Sequence, residues 1–185
     1  MNARHGSRIV LLVSLCAVFA AGCAPTRTTK SAGEQIDDSM LTARVKGAIA
    51  KDVGTGNSIR VDVETYRGNV QLNGFTDSGE KKRAAGHAAN RVAGVRHVEN
   101  NLQVATSART PGEFVDDAVL TTKIKAALAA DPAVAAHEVN LDVRQGVVQL
   151  SGFVDSAAEK SRAEELASRV AGVRKVENAL DVKQR

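Results

Sequence analysis

Cys23 is the residue whose type and position most clearly indicate chemistry. The chain begins with a basic segment containing Arg4 and Arg8, and residues 9–21 are then almost wholly apolar. This order of basic residues, apolar residues and small residues is typical of a secretory signal peptide. As a helix the apolar segment would be about 20 Å long, whereas the bilayer core is ~30 Å thick, so a permanent transmembrane span is disfavoured. We predict that residues 1–22 are a signal peptide removed on export.

The residues before Cys23 resemble the bacterial lipobox, in which the thiol is joined to diacylglycerol and the cysteine becomes the first mature residue. Ala20 stands where that motif usually has leucine, so plain secretion with an incidental cysteine stays open. A free exposed thiol is unfavourable in an oxidising compartment, which favours lipidation. Acyl chains such as palmitate, at ~0.8 kcal/mol per buried methylene, would anchor the protein lastingly. Ala24 follows where retention in the inner membrane would require Asp, so the resemblance implies the outer membrane, facing the periplasm.

Composition limits the possible partners. With 43% hydrophobic and 25% charged residues, the 185-residue chain is globular rather than disordered or fibrous. Aromatic residues are only 3%, so stacking platforms for single-stranded nucleic acid are scarce. The formal net charge of +4 falls to about +2 once Arg4 and Arg8 are removed. We therefore expect no nucleic-acid partner.

An internal duplication organises the rest of the chain. DDSMLTARVKGAIAKD recurs as DDAVLTTKIKAALAAD, and RVAGVRHVEN recurs as RVAGVRKVEN. The repeat predicts two small domains that fold independently and are joined flexibly. The predicted segments are a lipid-anchored tether at 23–36, a first domain at 37–104, a linker at 105–115 and a second domain at 116–185.

Both copies share one order of elements. A first helix follows the N-cap candidates Asp37 or Asp38, and its apolar residues recur at helical spacing. Alternating residues then predict a hairpin, followed by a second helix with a capping-box spacing and a final strand. The fold class is therefore α+β, with each unit αββαβ. The predicted junction residues are Asp116 or Asp117 before the second copy's first helix, hairpin turns at Arg67–Gly68 and Gln145–Gly146, second-helix starts at Asp77 and Ser156, and helix ends at Gly94 and Gly172.

These motifs resemble the BON module of bacterial envelope proteins. The matching positions are Gly68, Val70, Leu72, Gly74, Val92, Gly94, Val95, Val98 and Asn100, with Gly146, Val148, Leu150, Gly152, Val170, Gly172, Val173, Val176 and Asn178. The resemblance implies two helices packed on a three-stranded sheet and no catalytic centre. Together with the lipobox, it implies a dual-BON outer-membrane lipoprotein that maintains envelope integrity and binds anionic phospholipid or outer-membrane assembly proteins.

Other polar candidates favour neither an enzyme nor a metal site. His87 corresponds to Glu165 and His97 to Lys175 in the repeat, and His137 lies near a gap, so no histidine is repeated. Repeated acids at helix starts are explained by capping. The sequence contains no glycine-rich phosphate loop, nucleophile elbow or CxxC motif. We expect no catalysis, no bound metal and no cofactor.

Gly74 and Gly152 each end a predicted strand and are followed by a phenylalanine. Bare backbone at such a position can line a ligand groove. The alternative is a tight junction in which Phe75 and Phe153 fill the cores, and this interpretation is favoured.

The candidate lipid-binding residues lie on the first helix of the second copy. Val119, Thr122, Lys123 and Ala126 share a helical face turned away from the predicted core. Lipid-binding relatives tend to carry a large aromatic residue where this chain has Val119, so we expect weak binding. The run Lys81–Arg83 is a competing surface. Two other functions stay open, a soluble periplasmic stress protein with chaperone-like activity and a protein-interaction adaptor.

Overall fold

The computed structural model describes residues 32–54 and 59–184. The predicted signal peptide, Cys23 and most of the tether lie outside the described residues. The first copy forms α1 (Ala32–Val53), β1 (Ile59–Tyr66), β2 (Asn69–Thr76), α2 (Gly79–Asn90), β3 (His97–Asn100) and β4 (Gln103–Val104). The second forms α3 (Pro111–Ala130), β5 (Asn140–Arg144), β6 (Val147–Val154), α4 (Ala157–Ser168) and β7 (Lys175–Val182). The predicted α+β class is confirmed, with the first copy's last strand divided in two.

Each sheet is mixed, with its second strand in the centre. β2 pairs antiparallel with β1 and parallel with β3 and β4, and β6 pairs in the same way with β5 and β7. The parallel partner follows a helix because a parallel connection needs a long crossover. Side chains alternate along the central strand, so Val70 and Leu72 point to the helices whereas Gln71 points to the other face.

Each domain has its own apolar core between its helices and one face of its sheet. The predicted helical faces are confirmed, with Leu41, Val45 and Ile49 buried in the first domain and Leu120, Ile124 and Leu128 buried in the second. Leu72 and Leu150, at equivalent positions of the central strands, are fully buried. Because aromatic residues are few, these aliphatic side chains and helix alanines form the cores.

Helix α3 begins earlier than predicted, within the segment expected to be a linker. Thr110 is its N-cap and Pro111 its first residue. The Thr110 Oγ1 accepts a hydrogen bond from the Glu113 amide (3.3 Å), and a Glu113 carboxylate oxygen accepts one from the Thr110 amide (2.7 Å). This reciprocal capping box starts the helix five residues before Asp116.

The repeated acids Asp38 and Asp117 were predicted as helix caps, and this prediction is wrong. Both lie inside their helices and are buried, and each carboxylate accepts hydrogen bonds from two backbone amides of the neighbouring hairpin turn. The bonds are Arg67 N to Asp38 Oδ2 (2.8 Å), Gly68 N to Asp38 Oδ1 (3.1 Å), Gln145 N to Asp117 Oδ2 (2.9 Å) and Gly146 N to Asp117 Oδ1 (3.1 Å). They fix the first helix of each domain to its hairpin.

The second helices also differ slightly from prediction. α2 is capped by Ser78 rather than by Asp77, whereas α4 is capped by Ser156 as predicted. The helices end at Asn90 and Ser168, before the predicted glycines, which adopt left-handed backbone angles in the following turns.

The two domains are in direct contact, which the prediction of a flexible pair did not include. The sheet faces that the helices leave uncovered are turned towards each other, with β2 opposite β6. Gln149 Oε1 accepts a hydrogen bond from the Gly74 amide (2.6 Å), and Gln71 Oε1 accepts one from the Gly152 amide (3.1 Å). Because these four residues are equivalent in the repeat, the contact is reciprocal and has approximate twofold symmetry. The layers follow the order helices, sheet, sheet, helices.

Phe75 and Phe153 lie at this interface rather than filling their own cores as predicted. The Phe153 ring stacks on Tyr66 at 5.3 Å between centroids, and Arg144 lies over the Phe75 ring at 6.0 Å. The tight-junction interpretation of Gly74 agrees with the structure, since a Cβ there would lie 2.2 Å from the Arg60 carbonyl oxygen.

Acidic side chains also meet across the interface. Burial raises the pKa of Asp142 to about 6, and a hydrogen bond and charge repulsion with Asp62 contribute to the rise. Arg60, 3.8 Å from the Asp142 carboxylate, and Arg109 act in the opposite direction. Burial likewise raises the pKa of Glu99, with a further contribution from Asp181 of the second domain.

Candidate functional site

All four predicted lipid-contact residues lie together on the surface of α3. Val119 is 47% exposed, and Thr122, Lys123 and Ala126 are exposed beside it. They occupy the side of the helix opposite the buried residues Leu120, Ile124 and Leu128. The structure therefore brings these residues together as predicted, and their contact with lipid stays a prediction.

The early start of α3 adds apolar surface that sequence reasoning missed. Val115 is 63% exposed and lies one turn before Val119, so it extends the same stripe. Phe114 is also exposed, and the Arg109 guanidinium lies over its ring at 4.0 Å. The spacing of Thr110 and Glu113 was the sequence signal that could have identified this turn. We call Val115, Val119, Thr122, Lys123 and Ala126 the α3 stripe.

A shallow groove of about 420 Å³ borders the α3 stripe. It lies between α3, the β5–β6 turn and the loop before β7. Its lining combines apolar, basic and acidic groups: Val119, Leu120, Gly146, Ala171, Gly172, Lys123, Arg174, Gln145, Glu113, Asp116 and Asp117. Such a groove offers an apolar floor with two cations at its rim.

Two of the three acids in the groove are held by internal bonds. A backbone hydrogen bond from Thr110, with side-chain bonds from Gln145 and Thr110, holds the pKa of Glu113 below its usual range. Asp117 binds the hairpin turn and forms a buried ion pair with Arg109 at 3.2 Å. Asp117 is thereby paired with a cation, Glu113 stays ionised but is held by its hydrogen bonds, and Lys123 and Arg174 are the basic groups that line the groove.

The competing basic run on α2 is less available. Lys81 forms an ion pair with Asp77 at 2.8 Å, and both Lys81 and Lys82 are partly buried. Only Arg83 of the three is exposed. The structure therefore favours the α3 stripe over this surface for contact with a negatively charged partner.

Across residues 32–54 and 59–184, no group of three or more histidine, cysteine or acidic side chains is arranged to hold a metal ion. His87 lies on α2, His97 on β3 and His137 in the loop before β5, and all three are exposed. Within the same ranges no helix has the length and hydrophobicity needed to cross a bilayer.

Comparisons with known proteins identify the family. The family model described as the BON domain matches residues 37–106 and again residues 116–184. The chain is 36% identical to "Osmotically-inducible protein Y" of Escherichia coli (strain K12), over 96% of each chain. It is 31% identical to "Outer membrane lipoprotein DolP" of Haemophilus influenzae, over 92% of this chain and 89% of the relative. It is 33% identical to a "21 kDa hemolysin" of Actinobacillus pleuropneumoniae, over 80% of this chain and 75% of the relative. The chain therefore belongs to the BON-domain family, of which it carries two domains.

Proposed function

We propose that this chain is a non-enzymatic lipoprotein of the bacterial outer membrane that faces the periplasm and contacts anionic phospholipid through the α3 stripe. The observation that carries the proposal is the exposed row of Val115 and Val119 beside Lys123, opposite a fully buried helical face. In this role the protein supports the permeability barrier, by contacting lipid and outer-membrane assembly proteins.

The chemistry of the α3 stripe suits a shallow contact with a headgroup layer. Valine side chains can enter the boundary between headgroups and acyl chains, and a lysine beside them gains ~1 kcal/mol from an anionic surface. Two valines bury little area, so binding is weak and falls with salt concentration. An acyl anchor compensates by raising the local concentration of the stripe at the membrane.

The location rests on the predicted signal peptide and Cys23, together with the relatives. One relative of similar length is named an outer membrane lipoprotein, and another is named for induction by osmotic stress. Both names support an envelope role for a chain with the same two domains. If Cys23 is not acylated, the same domains act as a soluble periplasmic stress protein with chaperone-like activity.

Acylation is tested by metabolic labelling with a palmitate analogue, with Cys23→Ala as the control. We expect label on the wild-type chain only, and release of the Cys23→Ala chain from the membrane fraction. Unchanged partition of the variant into membranes would rule out the anchor.

Lipid contact is tested by titrating the mature chain carrying Cys23→Ala with micelles of an anionic phospholipid. Amide shifts are expected at residues 115–126 and should shrink there in Lys123→Glu, whereas the matched reversal Arg83→Glu on α2 should leave them unchanged. Shifts confined to α2 would move the site there. A complete absence of shifts would favour the adaptor function.

A further inference from the structure

The first domain carries an exposed stripe that begins at positions equivalent to the α3 stripe and continues one turn further along its helix. Ile36 is 61% exposed and Met40 is 52% exposed, and the exposed residues Arg44, Gly47 and Lys51 continue the row along α1. We call these five residues the α1 stripe. In the repeat, Ile36, Met40 and Arg44 occupy the places of Val115, Val119 and Lys123.

The α1 stripe is better suited to an anionic lipid surface than its counterpart. Isoleucine and methionine replace two valines, so more apolar area can be inserted. Arg44 and Lys51 supply two cations, whereas the equivalent positions of α3 are Lys123 and the uncharged Ala130. Its charge and hydrophobicity therefore complement a layer of acidic headgroups over acyl chains.

The groove beside the stripe is repeated as well. It measures about 320 Å³ and is lined by α1, the β1–β2 turn and the loop before β3. Two of its acids are held internally, since Glu34 lies 3.5 Å from the Arg67 guanidinium and Asp38 accepts the turn amides. Arg44 and Arg96 lie at the rim, where Lys123 and Arg174 lie in the second domain.

The arrangement of the domains points the two stripes in different directions. The sheets meet at the centre of the molecule, so α1 and α3 belong to the two outer layers. Each stripe lies on the side of its helix opposite the buried residues that face its own sheet. A single flat bilayer therefore cannot lie against both stripes at once.

We infer that the α1 stripe is a second contact surface for anionic bilayers, so that one molecule can hold two lipid surfaces on its opposite sides. This inference rests on the proposed function of the α3 stripe. Eight residues separate Cys23 from Ala32, and nine peptide units span at most about 30 Å. A lipidated Cys23 would therefore hold the start of α1 within about 30 Å of the membrane that carries the anchor, so a lipid surface is within reach of the apolar and basic α1 stripe.

The test uses the mature chain with Cys23→Ala and vesicles of equal parts phosphatidylglycerol and phosphatidylethanolamine. Co-sedimentation measures binding, and dynamic light scattering measures vesicle clustering. The α1 variant is Met40→Asp with Arg44→Glu, the α3 variant is Val119→Asp with Lys123→Glu, and Arg83→Glu is the surface control. Because all these positions are exposed, circular dichroism should show unchanged folding.

We expect the wild-type chain to bind and to cluster vesicles. Either variant alone should retain binding through its remaining stripe, with the larger loss of affinity in the α1 variant, and should abolish clustering because one stripe holds only one vesicle. Both variants combined should abolish binding, whereas Arg83→Glu should behave as wild type.

The outcomes that overturn the inference differ from those that overturn the proposed function. Loss of binding in the α3 variant, with normal binding in the α1 variant, would leave the proposed function standing and overturn the second surface. If the α1 variant still clusters vesicles, the clustering arises from the two α3 stripes of a protein dimer. That result would also overturn the second contact surface. Binding that persists when the two variants are combined would overturn both proposals.

Discussion

Asp117 carries more of the second domain's structure than its place within a surface helix indicates. Its carboxylate accepts two amides of the β5–β6 turn and pairs with Arg109, whose side chain is only 10% exposed. Arg109 in turn lies over Phe114 in the first turn of α3. One buried carboxylate therefore connects a helix, a hairpin and the segment that leads into the helix.

We expect Asp117→Ala to lower the free energy of unfolding by ~3 kcal/mol, because it leaves Arg109 buried without its counter-charge and two turn amides without an acceptor. Urea denaturation followed by circular dichroism would measure the change. Asp116→Ala, at the exposed neighbouring position, should change stability by less than ~0.5 kcal/mol. Equal effects of the two substitutions would contradict the assigned role.

The carboxyl group of Asp142 makes the molecule's stability depend on pH. Its pKa is about 6 in the folded protein and ~3.9 in an unfolded chain, so the folded state binds the proton more tightly. The resulting stability is fully present below pH ~4 and is lost as pH rises through about 6, which amounts to ~3 kcal/mol. We expect Asp142→Asn to remove this decline, as measured by thermal unfolding between pH 4 and 7.5.

Asp62→Asn offers an independent check on Asp142. It removes the neighbouring negative charge that contributes to the raised pKa of Asp142, so the decline should become smaller without disappearing, because burial remains the largest cause. If both variants lose stability with rising pH as the wild-type protein does, Asp62 and Asp142 are not the origin of the decline.

Sequence reasoning succeeded at single residues where a local pattern decides the environment. Helical spacing alone predicts that Val119 and Lys123 are exposed while Leu120 is buried, and the structure agrees. It failed for Asp38 and Asp117 because an acid near a predicted helix start has two possible partners, the helix amides or a turn distant in sequence. The pairing of Asp62 with Asp142 depends on how two domains meet, and no pattern in one segment contains that information.

At the scale of elements, the order of helices and strands was predictable because each one has its own periodicity and boundary residues. The helix boundaries were less predictable, since α1 begins at Ala32 and α3 at Pro111, both within segments of polar composition, and α3 begins with a capping box. The last strand of the first domain also divides into β3 and β4, whereas its copy in the second domain is continuous. The Asn101 amide donates to the Leu72 carbonyl oxygen between them, which maintains contact with β2.

The central strands depend on glycines at which backbones approach closely. At Gly152 the φ angle is +121°, and a Cβ would lie 2.2 Å from the Glu138 carbonyl oxygen. We expect Gly152→Ala to destabilise the protein by ~3 kcal/mol or more, because both the backbone angle and the contact must change. Chemical denaturation would measure it.

Gly112 provides the matched substitution for Gly152. It lies in the first turn of α3, where a Cβ meets only Thr110 Oγ1 at 4.0 Å. Gly112→Ala should therefore leave stability unchanged or raise it by up to ~1 kcal/mol. A similar loss of stability in the two alanine variants would show that glycine-specific geometry is not the cause.

At the scale of the whole molecule, the duplication explains why the two domains fit together. Each domain presents the same glutamine and the same glycine amide on its uncovered sheet face, so pairing two copies satisfies both sets at once. Gln149 also donates to the Asn101 carbonyl oxygen at 2.7 Å, and Gln71 donates to Asp181 at 2.9 Å. Domains of this size are marginally stable alone, so the shared face should contribute to the stability of both.

We expect the two domains to unfold together because of this interface. Leu150→Ala removes a fully buried side chain of the second core and should cost ~2 to 5 kcal/mol. If the interface couples the domains, amide signals of the first domain should also lose protection from hydrogen exchange in this variant. First-domain signals that remain as in wild type would show that the domains are independent after all.

The strength of the coupling can be isolated with Gln71→Ala and Gln149→Ala combined. Neither side chain belongs to an apolar core. Gln71 hydrogen-bonds to residues of the second domain, and Gln149 hydrogen-bonds to residues of the first. The double variant therefore leaves both cores unchanged but removes the acceptors of the Gly74 and Gly152 amides, at ~1 to 3 kcal/mol for each unpaired buried group. Calorimetry should show one unfolding transition for the wild-type chain and two for the double variant. When Leu150→Ala is added to the double variant, only the transition temperature of the second domain should fall. If the double variant still unfolds in one transition, the stacked aromatic pair Tyr66–Phe153 and the remaining apolar contacts carry the coupling instead of the reciprocal glutamines.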